Sequence, residues 1–293
     1  MSAASTRKWK VRPLNLLNGK EVSEKVLERI AAEARNLSVP PCLAVVIVGD
    51  DPASRIYVAN KKKTCEQVGF RSLEYALPAE YGQARLFELI AKLNADGSVH
   101  GILCQDPLPP GYDGQAVCRA ISPDKDVDVF HPVNVGKLIL GDPAFLPCTP
   151  VGIMELLSDA GISLDGKHVV IVGRSNIVGK PMALLALQAN ATVTMCHSRT
   201  KYLAEHTRAA DILIVSIGKL RFITADMVKE GAVVIDVGIN RLEGKKVRGD
   251  VDFDAVSEKC SYITPVPGGV GPMTIAMLMQ NTLTAAKRAA KIN

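Results

Sequence analysis

The sequence predicts an α/β fold of two α/β domains flanking a cleft, the C-terminal one built on a doubly wound parallel sheet. Apolar runs of strand length alternate with stretches of helical periodicity along most of the chain. The 293 residues, 47% of them apolar, are enough for two domains or one large one. In the second half, an apolar run leads directly into a glycine turn and a helix. We expect domains over residues 1–150 and 151–293, with the helix after residue 274 packing back on the first.

The first half alternates predicted helices and strands. Asp51 is a typical N-cap, and Pro52 follows it in the first turn of the second helix. The predicted elements are helix 19–36, strand 42–48, helix 52–69, strand 73–76, helix 83–93 and strand 101–105. Over residues 107–150, where proline, glycine and aspartate are frequent, we expect loops and one helix near 115–121.

The second half repeats the alternation. A helix over 151–160 is followed by predicted strands at 168–172, 192–195, 212–216 and 233–237. This order is typical of a compact dinucleotide-binding domain.

Composition excludes several classes of function. The apolar runs are far shorter than a membrane-spanning helix, and the net charge of +5 is spread along the chain, so we expect no membrane or nucleic-acid partner. Seven cysteines without a C-x-x-C pair argue against a disulfide framework and a zinc site, and we expect no metal. A cytoplasmic location fits best. The basic first twenty residues indicate a flexible terminus, with a mitochondrial transit peptide as the alternative.

The glycine turn of the second half predicts a dinucleotide site. The strand ending at Val172 enters Gly173-Arg-Ser-Asn-Ile-Val-Gly179, and an apolar helix begins near Met182. This order places backbone N–H groups and the positive end of a helix dipole against a pyrophosphate. The spacing differs from G-x-G-x-x-G, so the alternative is a plain strand-to-helix connection in which the glycines serve tight packing.

The segment after the next strand favours NADP over NAD. A site selective for NAD places an acid there for the ribose 2′-hydroxyl, but Cys196-His-Ser-Arg-Thr200 contains none. Arg174, Ser198 and Arg199 are suited to a 2′-phosphate instead. For Arg199 alone, an ordinary basic surface loop is an equally good interpretation.

A lysine on an apolar helix face is the main catalytic candidate. Steps of three and four residues define a stripe made of Tyr57, Lys61, Thr64, Cys65 and Val68. Lys62 and Lys63 point away from this stripe. Burial of the Lys61 amine would lower its pKa and suit it to proton transfer. The alternative is that the three lysines form a solvated charge run.

Polar residues follow the strand that ends near residue 105. Gln105 and Asp106 lie at the sheet edge where ligands of open α/β sheets bind, and Gln105 is suited to hold Lys61 or a substrate atom. The loop Asp124-Lys-Asp126-Val-Asp128 adds carboxylates, whose paired acceptors match the N–C–N–H edge of an amino-pterin. A capped turn is the alternative for that loop.

Five ordered motifs resemble those of one enzyme family. They are Tyr57-x-x-x-Lys61, Gln105-x-Pro-Leu-Pro109, Pro123-x-Lys-Asp-Val-Asp128, Gly173-Arg-Ser-x-x-Val-Gly-x-Pro181 and Pro265-Val-Pro-Gly-Gly-Val-Gly-Pro-Met-Thr274. Over residues 16–287 the chain resembles the bifunctional methylenetetrahydrofolate dehydrogenase/methenyltetrahydrofolate cyclohydrolases.

The resemblance implies a Rossmann-like second domain, folate in the cleft and a homodimer assembled through the nucleotide domains. It also implies NADP-dependent oxidation of 5,10-methylenetetrahydrofolate to 5,10-methenyltetrahydrofolate, and hydrolysis of that product to 10-formyltetrahydrofolate.

The same resemblance assigns site residues. Lys61 is implied to be the key catalytic residue, supported by Tyr57 and Gln105, and Asp128 is implied to hold the pterin. The substrate-binding set is Tyr57, Lys61, Cys104, Gln105, Asp106, Asp128, Pro267, Gly268, Gly269, Val270 and Gly271. The cofactor-binding set is Gly173, Arg174, Ser175, Ile177, Val178, Gly179, Ser198, Arg199 and Ile239.

Two positions depart from the family pattern, which usually has an apolar residue in place of Asp106 and a glycine in place of Val129. We expect the Asp106 charge to raise the pKa of Lys61, and Val129 to disturb the backbone that aims Asp128. Both changes bear on the cyclohydrolase step.

Three alternative functions remain open from the sequence. The chain is a dehydrogenase with weak or no cyclohydrolase activity, a non-catalytic folate- or nucleotide-binding regulator, or an amino-acid or shikimate-type dehydrogenase with the same two-domain plan. Intact Tyr57, Lys61 and Gln105 disfavour the regulator, and the proline-glycine run over 265–274 disfavours the last alternative.

Overall fold

The computed structural model describes residues 15–243 and 246–291. Most of the predicted basic terminus, residues 1–14, lies outside the described residues. In the first half the elements are β1 Asn15–Leu16, α1 Gly19–Ala34, β2 Cys42–Val48, α2 Pro52–Gln67, β3 Arg71–Leu77, α3 Gln83–Ala95, β4 Gly101–Cys104, α4 Gly114–Ala120, α5 Pro132–Leu140 and α6 Cys148–Asp159. In the second half they are β5 His168–Val172, α7 Gly179–Gln188, β6 Thr192–Cys196, α8 Leu203–Arg208, β7 Ile212–Val215, β8 Val233–Asp236, β9 Asn240–Arg241, β10 Val247–Arg248, α9 Phe253–Ser257, β11 Tyr262–Ile263 and α10 Val270–Ala289.

The strands form two parallel sheets and a short ribbon. The first sheet has the order β3-β2-β4, and the second has the order β1-β11-β8-β7-β5-β6. After β5 the chain adds β6 on one side and β7 and β8 on the other, which places a topological switch point at the carboxyl ends of β5 and β7. The predicted α/β class and doubly wound parallel sheet are therefore confirmed. Strands β9 and β10 form an antiparallel ribbon outside both sheets.

A continuous apolar core joins the two sheets. Alternate residues of β2, namely Leu43, Val45 and Ile47, enter the same cluster as Val169 and Ile171 of β5. Helix α10 lies within this cluster and packs against α1, α2 and α6. The opposite faces of the two sheets carry separate apolar clusters. Burial of α10 therefore couples the two halves of the chain.

Two sets of contacts cross the predicted domain boundary at residue 150. Strand β1 pairs with β11 in the second sheet, and α10 packs against helices of the first half. A domain boundary near residue 150 stays a prediction.

The prediction of a single helix over residues 107–150 was wrong, because α5 also lies there. His131 caps α5 by accepting a hydrogen bond on Nδ1 from the backbone N–H of Val133 at 3.1 Å. Pro132 occupies the first turn, and Gly141 ends the helix in a left-handed conformation with φ of 79°. These are ordinary helix signals, which the many prolines and glycines nearby obscured.

Four strands were missed for a different reason. Each of β1, β9, β10 and β11 has only two residues. A segment that short shows no measurable periodicity in sequence.

The side chains of all seven cysteines are free thiols. Among the described residues, no helix combines the length and the apolar character needed to cross a membrane.

Two buried aspartates hold the loops that follow β7 and β8. The carboxylates of Asp236 and Asp250 accept hydrogen bonds of 2.7–2.9 Å from the backbone N–H groups of residues 217–219, 238 and 250–251. Burial raises the pKa of Asp236 to about 6, and the neighbouring Asp250 adds to the effect, while the N–H donors oppose it. These loops carry residues that line the cleft described below.

The raised pKa of Asp236 predicts a pH-dependent stability. Because the folded-state pKa exceeds the ordinary value of 3.8, the contribution of Asp236 is full below about pH 4 and is lost as pH rises through about 6. Relative to Asp236→Asn, the wild type should lose about 3 kcal/mol of unfolding free energy across this window. Urea denaturation at several pH values measures the difference, with Asp142→Asn, an exposed carboxylate, as the control. Parallel pH profiles for wild type and Asp236→Asn would contradict the assignment.

Candidate active site

Lys61 lies on the inward face of α2, as the helical spacing predicted. Cys65 and Val68 of the stripe are buried and Tyr57 and Lys61 are half-buried, whereas Lys62 and Lys63 are exposed. Burial lowers the pKa of Lys61, and the nearby Asp128 carboxylate opposes this shift. The interpretation of the three lysines as a uniformly solvated run is therefore wrong for Lys61.

Gln105 holds the lysine amine. The Lys61 Nζ donates a hydrogen bond to Gln105 Oε1 at 2.9 Å, and Gln105 Nε2 donates to the Asp106 carbonyl at 2.7 Å. The backbone N–H of Gln105 donates to the Val46 carbonyl at 2.8 Å, which anchors the residue at the end of β4. The amide is therefore fixed with its oxygen facing Lys61.

Asp128 is the carboxylate that acts on Lys61. Burial raises the pKa of Asp128, and the positive charge of Lys61 lowers it. The two charges interact without an ion pair of 4.0 Å or less. Our expectation that Asp106 would raise the lysine pKa was wrong, because the carboxylate that opposes the effect of burial on the Lys61 pKa is that of Asp128. The side chain of Asp106 is exposed.

The loop that carries Asp128 is held by its own buried carboxylate. Asp126 accepts hydrogen bonds from the backbone N–H groups of Phe130 and His131 and from Asn134 Nδ2, at 2.8–3.1 Å. Val129 has a φ of 65°, a left-handed conformation that is costly for a β-branched residue. This conformation is one that glycine adopts without that cost, and the buried Val129 side chain packs in the core. A shift of the backbone that aims Asp128 stays a prediction.

The residues around Lys61 enclose a small cavity. This inner cavity, of about 250 Å³, is lined by Lys61, Cys104, Gln105, Asp106 and Asp128 among others. Ile177, from the glycine turn after β5, lines it as well. The structure therefore brings five predicted substrate residues together and places one predicted cofactor residue against them.

A second cavity begins one helical turn away. This outer cavity, of about 440 Å³, is lined by Tyr57, Ile239 and the run Pro267–Gly271, with Ile275 shared between the two cavities. The structure thus assigns Tyr57 to the outer cavity and Lys61 to the inner one. Both cavities open on the cleft between the two halves of the chain.

The glycine turn after β5 is tightly packed at its two glycines. Gly173 has a φ of 135°, and a Cβ there would lie 2.5 Å from the Ser216 carbonyl oxygen. A Cβ on Gly179 would collide with the Gly173 carbonyl. Ser175 takes the place of the second glycine of the usual motif, and its Oγ accepts hydrogen bonds from the N–H groups of Val178 and Gly179. Helix α7 begins at Gly179, so its positive end faces this loop.

The predicted phosphate-binding side chains lie beside this loop. Val172 of β5 pairs with Cys196 of β6, so Arg174 and Ser198 follow the ends of adjacent strands. Arg174, Ser198 and Arg199 are all exposed, and neither arginine forms an ion pair with another described residue. This edge of the sheet is therefore a cationic surface free to receive an anion.

Several site residues were missed from the sequence. Cys148 Sγ lies 3.8 Å from Asp128 Oδ1, and Thr149 and Thr274 pair their hydroxyls at 2.9 Å within the inner cavity. Asn281 Nδ2 donates to the carbonyls of Val127 and Leu146, both at 2.8 Å. Cys148 and Asp128 are 20 positions apart, and the other contacts join residues more than 120 positions apart, so no local pattern in the sequence predicts them. Thr274 is the last residue of the motif over residues 265–274, and this motif was the one indication in the sequence of any of these site residues.

Two family models match the chain. Residues 17–128 match the catalytic domain of tetrahydrofolate dehydrogenase/cyclohydrolase, and residues 147–290 match its NAD(P)-binding domain. A bifunctional protein FolD from Acetivibrio thermocellus is 59% identical over 280 residues, covering 94% of this chain and 98% of that protein.

Solved structures agree with this match. The bifunctional FolD methylenetetrahydrofolate dehydrogenase/cyclohydrolase from Campylobacter jejuni superposes with a TM-score of 0.92 at 53% identity, covering 94% of this chain and 99% of that one. The Trypanosoma brucei enzyme, crystallised with NADP cofactor and inhibitor, gives 0.89 at 38% identity, covering 94% and 97%. The chain therefore belongs to the tetrahydrofolate dehydrogenase/cyclohydrolase family.

Proposed function

We propose that the cleft carries out two consecutive reactions, with Lys61 as the group that moves protons. The enzyme oxidises 5,10-methylenetetrahydrofolate with NADP and hydrolyses the 5,10-methenyl product to 10-formyltetrahydrofolate. The observation that carries the proposal is the Lys61 amine, which is bonded to Gln105, has a lowered pKa and lies in a cavity that also includes Ile177 of the nucleotide loop. Family membership leaves the shikimate-type alternative without support.

The inner cavity is suited to the pterin end of the folate. The Asp128 carboxylate offers paired acceptors to an amino-pterin edge, and Gln105 and Lys61 lie on the same wall. Tyr57, one turn before Lys61 on α2, is then placed beside the aminobenzoate ring. This arrangement fixes the one-carbon bridge between the pterin and the aminobenzoate near Lys61.

The residues of the second half fit an NADP molecule. The backbone of residues 174–177 and the positive end of α7 would face the pyrophosphate. Arg174, Ser198 and Arg199 would hold the 2′-phosphate, and Ile177 and Ile239 would lie on the nicotinamide side of the cleft. When bound, NADP supplies the acceptor for the hydride that leaves the methylene carbon. These residues orient the ligand and exclude water from the reacting carbon.

The hydrolytic step requires proton transfers that Lys61 carries out. Water adds to the methenyl carbon, and the neutral amine takes up the proton that the water loses. The bond between the carbon and N5 then breaks, with Lys61 returning a proton to N5 and the hydroxyl losing one to solvent. The net reaction consumes one water and releases one proton. A lowered pKa suits the lysine to both steps, because it increases the share of the neutral amine that can take up a proton.

Replacement of Lys61 by Met should slow the hydrolytic step strongly. General acid–base groups contribute roughly 10²- to 10⁴-fold, so we expect a cyclohydrolase loss in that range with folate and NADP still bound. Absorbance of the methenyl intermediate in stopped-flow experiments separates its formation from its decay. Lys62→Met, the exposed neighbour, is the matched control. Unchanged hydrolysis in Lys61→Met would refute the assignment of Lys61.

Removal of the arginines should weaken selection for NADP. We expect Arg174→Ser and Arg199→Ser each to raise KM for NADP about tenfold or more, because a charge-assisted pair to phosphate is lost, and to change KM for NAD little. Initial rates with both cofactors give the ratio, and Lys201→Ser, an exposed lysine two residues from Arg199, serves as the control. If both KM values rise equally, the arginines do not read the 2′-phosphate.

A homodimer is also proposed. Support comes from the exposed apolar side chains of Ile139 and Leu140 on α5 and Leu187 on α7. The two helices are in contact, and Gln188 Nε2 donates a hydrogen bond to the Leu138 carbonyl. Strand β6, at the edge of the second sheet, adjoins α7. Light scattering on the intact chain tests the proposal, since the mass of one chain would refute it. Seven free thiols support a reducing, cytoplasmic setting for this assembly.

A further inference from the structure

The outer cavity has an uneven distribution of charge. Its wall is mainly apolar, from Tyr57 of α2 to the run Pro265–Pro272. Among its lining residues, Lys63 is the one cation and Asp236 the one carboxylate. Asp236 is 3% exposed, and its oxygens are engaged by three backbone N–H groups. The exposed Lys63 ammonium is therefore the charge that a ligand in this cavity meets.

A second cation stands at the same margin. The guanidinium of Arg241, on the β9–β10 ribbon, lies 5.8 Å from the centre of the Tyr57 ring. A cation–π contact of this kind holds the arginine in place while leaving N–H donors available. Neither Lys63 nor Arg241 forms an ion pair with any other residue in 15–243 or 246–291. Lys63 thus lines the apolar cavity, and Arg241 lies over the Tyr57 ring that forms part of its wall.

The position of Lys63 and Arg241 relative to Lys61 indicates which part of the folate they bind. Ile275 lines both cavities, and Tyr57 lies about 6 Å along α2 from Lys61. If the pterin occupies the inner cavity and the aminobenzoate passes Tyr57, the remaining part of the folate enters the outer cavity. That part is a glutamate, which carries two carboxylates.

We propose that Lys63 and Arg241 form an anion-binding rim that recognises the glutamate carboxylates of the folate and favours substrates carrying several glutamates. The proposal rests on the function proposed above. The planar guanidinium of arginine donates paired hydrogen bonds to one carboxylate. The lysine ammonium, on a flexible side chain, can reach a further carboxylate of a longer glutamate chain. The rim sets the affinity for the substrate tail and takes no part in hydride or proton transfer.

The test compares three substrates that share the reacting carbon: 5,10-methylenetetrahydropteroate, which lacks glutamate, and the mono- and triglutamate forms of methylenetetrahydrofolate. The readout is the ratio of kcat/KM for the triglutamate to that for the pteroate form. We expect this ratio to fall about threefold in Lys63→Gln and in Arg241→Gln, and roughly tenfold in the double variant. Lys62→Gln, which does not line the outer cavity, should keep the wild-type ratio.

Salt gives a second measurement that needs no variant. Screening of exposed charges should raise the wild-type KM for the triglutamate as ionic strength increases to about 0.5 M, with little effect on the pteroate form. The proposal of an anion-binding rim would be overturned if the double variant kept the wild-type ratio of kcat/KM for the triglutamate to that for the pteroate form. Equal effects of salt on KM for both substrates would overturn it as well. Absence of turnover with every substrate would instead overturn the proposed function, so the two failures are distinguishable.

Discussion

The enclosure of one lysine amine in an apolar setting is the constraint on which the site depends. Removing the Lys61 ammonium from water is unfavourable, and the structure offers it two compensating groups, the Gln105 oxygen at 2.9 Å and the charge of Asp128 farther away. A full ion pair would hold the lysine permanently charged. With a neutral amide and a more distant carboxylate, burial remains the larger effect and the Lys61 pKa is lowered, which favours the neutral amine that accepts a proton.

This balance depends on contacts between distant parts of the chain. Asp128 lies in a loop tied to α10 through Asn281, whose Nδ2 donates to the Val127 carbonyl, and Cys148 at the start of α6 lies against the carboxylate. Helix α10 also begins with the glycine-rich run that lines the outer cavity. Packing of α10 between the two sheets therefore sets the inner cavity, the outer cavity and the separation of the nucleotide loop from Lys61.

The parts of this site that arise from local pattern were predictable. The inward position of Lys61 came from helical spacing, and the place of Gln105 came from the end of a buried strand, because both depend on neighbours in sequence. The contacts of Cys148 and Asn281 were not predictable, since they depend on how α6 and α10 pack. Adjacency in sequence did not predict which charge acts on Lys61. Asp106 adjoins Gln105, yet its exposed side chain is not among the groups that shift the Lys61 pKa. Helix α5 shows that frequent glycine and proline can mark the ends of a helix as well as a loop.

The most direct test is to measure the pKa of Lys61 itself. The chain labelled with ¹³C at lysine Cε can be titrated by NMR, with the Lys61 signal assigned by its loss in Lys61→Met. We expect a midpoint below that of the exposed lysines, and a further decrease in Asp128→Asn, because that change removes the negative charge that opposes the effect of burial. A midpoint equal to that of the exposed lysines in both proteins would show that burial does not lower the Lys61 pKa.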